Sequence, residues 1–226
     1  MVFLLLLIST AVAQTSAVKL DPALDKVLDQ MDTAAANFHT ASASFVWDQY
    51  TKLVDDTDSQ KGKIYYRRQN KEIQMAADIT EPAAKYVLYA NDKVQVYIPK
   101  IDQVTEYHPG KSRADVESFL VLGFGGGGHE LLKSYEVKLL GSETINGVTT
   151  AKLELVSKSP KFRNNIERIL LWIDPTQGIS LRQQFLAPGG DYRLSRYSDI
   201  KVNQKIPEAA FKLKTTDKTQ FLSPKG

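Results

Sequence analysis

Residues 61–108 read KGKIYYRRQNKEIQMAADITEPAAKYVLYANDKVQVYIPKIDQVTEYH. Taken in twos, they spell a run of antiparallel strands. Ile64 and Tyr66 fall on one face. Ile73, Met75, Ala77 and Ile79 form the longest same-face row, with Glu72, Gln74, Ala76 and Asp78 opposite. Tyr86, Leu88 and Ala90 alternate with Val87 and Tyr89, and Val94, Val96 and Ile98 with Lys93, Gln95 and Tyr97. Such alternation marks a sheet with two unlike faces. The breaks carry turn chemistry: Gln69-Asn70, Glu81-Pro82, Asn91-Asp92 and Pro99-Lys100. Turns this short join antiparallel neighbours and leave no room for helical crossovers. The function is expected on one face of this meander.

Upstream, Met1–Ala13 reads MVFLLLLISTAVA. Its apolar run, Val2–Ile8, is too short to span a bilayer, and Ala11-Val12-Ala13 is an A-x-A cleavage signal. An export signal over residues 1–13 is expected, followed by one domain over 14–226. The basic residues that ordinarily precede such a run are missing, and a buried N-terminal strand or helix is the competing reading. About 210 residues then remain, enough for a single domain with a sizeable core. The net charge of +3 is ordinary, and the richest basic cluster is only Arg67-Arg68. That argues against a nucleic-acid surface. The chain has no cysteine, which excludes disulfides, thiol catalysis and thiolate zinc sites. It also removes the lipid-bearing Cys of a bacterial lipoprotein, so the exported chain is expected to be soluble and untethered.

Leu20–Phe38 is predicted as a helix, with Asp21 as N-cap and Pro22 at its first position. Its apolar stripe, Leu24, Val27, Leu28, Met31 and Ala35, should lie across a sheet. A strand over Ser44–Val54 leads into the meander. After it, Ser112–Leu122 opens like a capping box and is predicted helical. The run Gly123–Gly128 follows, with Phe124 as its one side-chain-bearing member. Strands then resume, with a hairpin at Asn146-Gly147, and Pro207–Phe211 is a short helical turn before a polar tail. About eleven strands, two helical elements and no internal domain boundary result.

Three stretches together resemble the LolA family of periplasmic lipoprotein carriers. Phe38–Phe45 is similar to the family's Phe-x-Ala-x-Phe lead-in to its first strand. Gly62–Arg68, Thr80-Glu81-Pro82 and Tyr97–Val104 look like its Gly–strand–Arg, Pro, Tyr-x-Pro and Gln-Val series. Leu170–Asp174, Gly189–Tyr192, Tyr197–Ile200 and Asn203 to Phe211 match its closing hairpins and ending. The resemblance covers most of residues 20–214. It implies a mainly β (α+β) fold, an unclosed curved antiparallel β-barrel with helices covering the concave face.

It also implies roles. An acyl-chain cavity would be lined by Phe45 and Trp47, by Ile64 and Tyr66, and by Ile73, Met75 and Ile79. Tyr86, Leu88, Val94, Val96 and Ile98 would complete it. The competing reading makes these residues a plain packed core. Arg68, with Arg67 beside it, stands at the family's lid latch, where an Arg hydrogen-bonds to the helical lid; a solvated surface charge is the alternative. Gln69 replaces the Pro that usually follows. Phe119, Leu120, Leu122 and Phe124 would form the lid, with Gly123–Gly128 as a hinge or merely a surface loop. The glycine run is no P-loop, since it lacks Lys-Ser/Thr and does not follow a strand.

No catalytic constellation stands out. His39, His108 and His129 lack metal-ligand spacing, and no G-x-S-x-G elbow occurs. No enzyme activity, cofactor or metal is therefore expected. The expected function is a monomeric carrier of acylated lipoprotein or lipid cargo. The family implies two partners, an inner-membrane ABC-type release complex and an outer-membrane lipoprotein receptor. A lipid- or lipoprotein-sensing module of the same fold is the alternative, and a lipid hydrolase a weaker third.

Overall fold

The computed structural model describes residues 20–69, 72–110, 120 and 122–223. The export signal, Phe119 and nearly all of the Ser112–Leu122 helix lie outside the described residues.

Helix α1 (Pro22–Ala36) starts where the sequence places its cap: Asp21 Oδ1 accepts the N–H groups of Ala23 at 2.7 Å and Leu24 at 3.4 Å. These are two of the donors a helix start leaves unsatisfied. The helix stops short of Phe38, which turns off it into the core. Strands β1 (Thr40–Thr51), β2 (Asp56–Gln69), β3 (Glu72–Glu81), β4 (Lys85–Ala90), β5 (Lys93–Ile98) and β6 (Gln103–Tyr107) form the meander. After α2 (Gly128–Ser134) come β7 (Tyr135–Ile145) and β8 (Val148–Ser157). A single helical turn, α3 (Pro160–Arg163), precedes β9 (Arg168–Asp174), β10 (Ile179–Leu186) and β11 (Tyr192–Val202). The twelfth strand, β12 (Gln220–Leu222), is an addition from the tail read as merely polar.

All these strands join one sheet in the order β12-β6-β5-β4-β3-β2-β1-β11-β10-β9-β8-β7. The two ends do not pair, so the sheet is the curved, unclosed antiparallel barrel that was expected. Strand β12 runs parallel to β6, the one parallel pair among the described strands. Among the described residues no helix is long and apolar enough to cross a membrane.

The sheet has two cores on its helix-covered face and one on the other. Under α1, Leu24, Leu28 and Met31 meet Leu153, Leu155, Leu171 and Ile173 of β8 and β9. Beside it, Ala41, Ala43 and Phe45 of β1 gather with Ile64, Tyr66, Met75, Ile79 and Tyr89 around Phe38 and Phe124. On the opposite face Tyr86, Leu88, Tyr97 and Val104 are covered by Phe211, Ile206 and Leu213 from the C-terminal segment.

Asn203, in the left-handed region, joins the end of α1 to the end of β11. Its Oδ1 accepts the His39 N–H and its Nδ2 donates to Asn37 O, both at 2.8 Å.

Candidate functional site

Strands β1 to β4, β10, β11 and one loop enclose a hollow of about 230 Å³ on the helix-covered face. Period-two geometry brings its floor together. Trp47 lies opposite Gln60 on β2 and Ser195 on β11, while Ile64, Tyr66 and Met75 follow on β2 and β3. Val87 comes from β4, and Gln183, Phe185, Arg193, Ser195 and Tyr197 from β10 and β11. Leu120 and Leu122 close it from above.

The hollow is small because the chain fills much of the space itself. Phe124, 1% exposed, stacks on Tyr66 with centroids 4.4 Å apart and meets Tyr197 edge-on at 4.9 Å. Its backbone bridges to Ile179, and Gly123 O accepts the Ser180 N–H at 2.7 Å. The Leu122 end of the loop is also tied to the floor. Gln183 Nε2 donates to Leu122 O at 2.6 Å, and Tyr197 Oη donates to Gln183 Oε1 at 3.2 Å. Burial pushes the Tyr197 phenol up to about 12 and Tyr66 well above its ordinary value, so both stay neutral donors at physiological pH.

The glycine run is expected as a swinging joint or loose loop; the structure shows a close-packed strip instead. A Cβ on Gly125 would stand 2.4 Å from the Phe38 ring, and one on Gly128 would stand 2.3 Å from Leu28 O. Both positions need glycine because α1 and its C-terminal Phe approach that closely.

Arg68 lies half-buried between these elements. Its Nη1 donates to Ala35 O in the last turn of α1 at 2.9 Å, and its Nη2 to Gly125 O at 2.7 Å. The guanidinium lies 5.5 Å from the Phe38 ring centroid, and burial lowers its pKa. One side chain thus joins the helix end and the loop. Arg67, named beside it as a latch, points to the opposite face, as neighbours in a strand must. There it donates to Gln74 Oε1, lies over Phe211 at 4.4 Å and pairs with Glu208. It holds the C-terminal turn, not the loop.

The other expected cavity residues divide. Phe45 stacks on Trp47 at 4.1 Å and is buried, as is Ile79. Val94 packs against the same core. Ile73, Val96 and Ile98 share that face by register but lie farther along the sheet. Tyr86 and Leu88 are on the wrong face: Met75 pairs with Tyr89 and Ala77 with Val87, which sends Tyr86 and Leu88 to the outer core. Both parities of β4 are apolar, so alternation alone could not choose between them.

Beyond the expected set, the sequence reading missed the wall from β10 and β11. Its inward residues include Gln183, Arg193 and Ser195, so a search for apolar rows passes over it. Also unforeseen is a cluster between α1 and α2. His129 Nδ1 lies 2.6 Å from Asp32 Oδ2, and Nε2 lies 3.0 Å from Asp25 Oδ1. The hydrogen bonds to Asp32 and then Asp25 raise the imidazole pKa. Asp29, Asp32 and His129 have ligand atoms within 4.8 Å of one another, the one described group able to hold a metal ion. Both ring nitrogens are already engaged by carboxylates, which fits an ion-pair cluster.

A larger hollow of about 460 Å³ lies elsewhere, walled by Lys63, Tyr65, Asp199, Lys201 and Lys205. Its charged lining does not suit hydrocarbon.

No protein-family model and no curated protein sequence matches the chain. Its fold is similar to that of MucB, at TM-score 0.57 and 12% identity over 89% of this chain and 66% of that one. MucB from Pseudomonas aeruginosa in complex with MucA gives 0.52 and 12%, over 84% and 61%. The chain therefore spans less than two thirds of the MucB chains it matches. An uncharacterized conserved protein from Thermus thermophilus gives 0.57 and 13%, over 89% and 99%. A LolA superfamily protein from Nitrosomonas europaea aligns over 84% and 97% at 0.41 and 14%. At these identities the likeness is one of fold.

Proposed function

We propose that the protein is a soluble periplasmic carrier that takes acyl chains of lipoproteins or related lipids into the hollow beneath Leu120 and Leu122, beside Phe124. One observation carries this reading: the apolar floor from Trp47 to Met75 is capped by Leu120 and Leu122, and a void remains under them. Each methylene moved out of water contributes about 0.8 kcal/mol. The described hollow is smaller than the roughly 300 Å³ at which small-molecule sites begin. A whole chain therefore enters only by displacing Phe124 and Leu122, and their return favours release. Arg68, bonded to the end of α1 and to the glycine loop beside Phe124, is the latch whose carbonyl contacts compete with the guest. Handover would involve an inner-membrane ABC-type release complex and an outer-membrane lipoprotein receptor, as in the LolA family that the sequence resembles.

The fold likeness to MucB, solved bound to MucA, favours a second reading, in which the same cavity serves a sensing module that binds a partner protein. Lipid extraction and mass spectrometry of the purified protein test the first step common to both. Stoichiometric acyl lipid is expected. A lipid-free protein that also fails to take up added acyl probe would sink both readings. Pull-down from envelope extracts then separates a carrier, which captures lipoproteins, from a sensor, which captures a membrane-anchored regulator.

A further inference from the structure

Arg193 lines the hollow, far from Arg68, which joins α1 to the glycine loop. Arg193 pairs with Gln49 on β1, whereas Arg67, next to Arg68, pairs with Thr40 at the opposite end of that strand. At ~3.3 Å per residue the separation along β1 is about 30 Å. Arg193 and Phe185 also line a second hollow of about 200 Å³, whose remaining walls include Gln49, Asn165, Asp191 and Tyr192. Asp191 Oδ1 there accepts the Lys52 N–H at 2.9 Å. Arg193 therefore lies where two hollows meet, the second walled by Gln49, Asn165 and Asp191 as well as by apolar side chains.

Its surroundings favour an anion. The guanidinium lies 4.9 Å from the Phe185 centroid, and burial lowers its pKa, yet an arginine so placed stays charged. Deeper in, Trp47 Nε1 is buried with no hydrogen-bond partner among the described residues, although the indole is close enough to Tyr197 to favour the ionised phenol. A buried N–H without an acceptor is costly, and a guest that brings an acceptor removes the cost.

We propose that Arg193 and the Trp47 indole N–H form a head-group subsite for a single acyl chain ending in an anionic group. Fatty-acid carboxylate and lysophospholipid phosphate share that chemistry. The head sits at Arg193, and the tail runs past Tyr66 toward Met75 in the space Phe124 vacates. This rests on the acyl-carrier reading and adds the class of guest.

The test is displacement of a neutral naphthylamine dye by palmitate, palmitoyl lysophosphatidate and hexadecanol. The protein should bind at least one anion about tenfold or more tighter than hexadecanol, the worth of a charge-assisted hydrogen bond. The tighter of the two anions identifies the source. Arg193→Gln should bring both anions to the hexadecanol level while hexadecanol still binds, which also shows that the variant folds. Arg193→Lys should restore part of the preference, and Trp47→Phe should lose part of it. Equal binding of all three compounds by the unmodified protein, or a preference that survives Arg193→Gln, overturns the subsite and leaves the carrier reading standing. No binding of any of them overturns both.

Discussion

The two halves of the helix-covered face are closed by different means. Over β8 and β9 lies α1, whose Leu28 and Met31 interlock with Leu153, Leu155, Leu171 and Ile173, each 1% exposed or less. Over β1–β4 lie Leu120, Leu122 and Phe124, with the Phe124 ring set between Tyr66 and Tyr197. A helix presents a side chain to the sheet at every turn and fills the space beneath it. Here the run Gly123–Gly128 carries one side chain, Phe124, and a 230 Å³ hollow remains beside it under Leu120 and Leu122. The same sheet thus holds one filled core and one with a void beside it.

That contrast can be broken most forcefully by truncation. Leu171→Ala should cost about 3 kcal/mol, since the interlocked half cannot collapse onto the gap, whereas Met75→Ala, beside an existing void, should cost about half that or less. Equal costs in denaturant titrations would erase the distinction. Phe124→Ala comes next. It should destabilise by about 2–3 kcal/mol and tighten acyl-probe binding about tenfold, because the guest no longer displaces a ring. Destabilisation with unchanged binding would mean the ring is ordinary core.

Arg68→Leu removes two hydrogen bonds from a charged donor and should cost about 1–2 kcal/mol. Its diagnostic effect is on exchange: the variant should retain acyl lipid and hand it over slowly. Normal handover would count against the latch. The smallest effect concerns His129, which ties α2 to α1. Its folded pKa is raised by Asp32 and Asp25, so its contribution is complete below the ordinary value of 6.5 and is lost as pH rises through the raised one. Relative to His129→Gln, the unmodified protein should lose about 2 °C of Tm or less across that window, as befits a pair exposed to solvent. A Tm difference that grows with pH would contradict this.

What the sequence made legible follows the same divide. The cap at Asp21 and the apolar row of β3 were readable because one parity is polar and the other is not. In β4 Tyr86 and Leu88 compete with Val87 and Tyr89 on equal terms, and only pairing with Met75 and Ala77 decides. Arg67 and Arg68 are adjacent in sequence, yet strand geometry puts them on opposite faces with separate duties. The wall of Gln183, Arg193 and Ser195 stayed hidden because its inward residues are polar. The glycine run announced freedom, while the close approaches of Phe38 and Leu28 show constraint. Strand β12 has three residues in a polar tail and carried no pattern of its own.

The two tryptophans lie on opposite sides of this account, and they make its most direct test. Trp47 lines the hollow, while Trp172 donates to Glu143 Oε2 at 2.6 Å, outside it. A fatty acid brominated along its chain should quench the fluorescence of Trp172→Phe, which keeps Trp47, and leave that of Trp47→Phe nearly unchanged. Equal quenching of the two variants, or none of the first at saturating ligand, would contradict the claim that hydrocarbon enters the hollow that Trp47 lines.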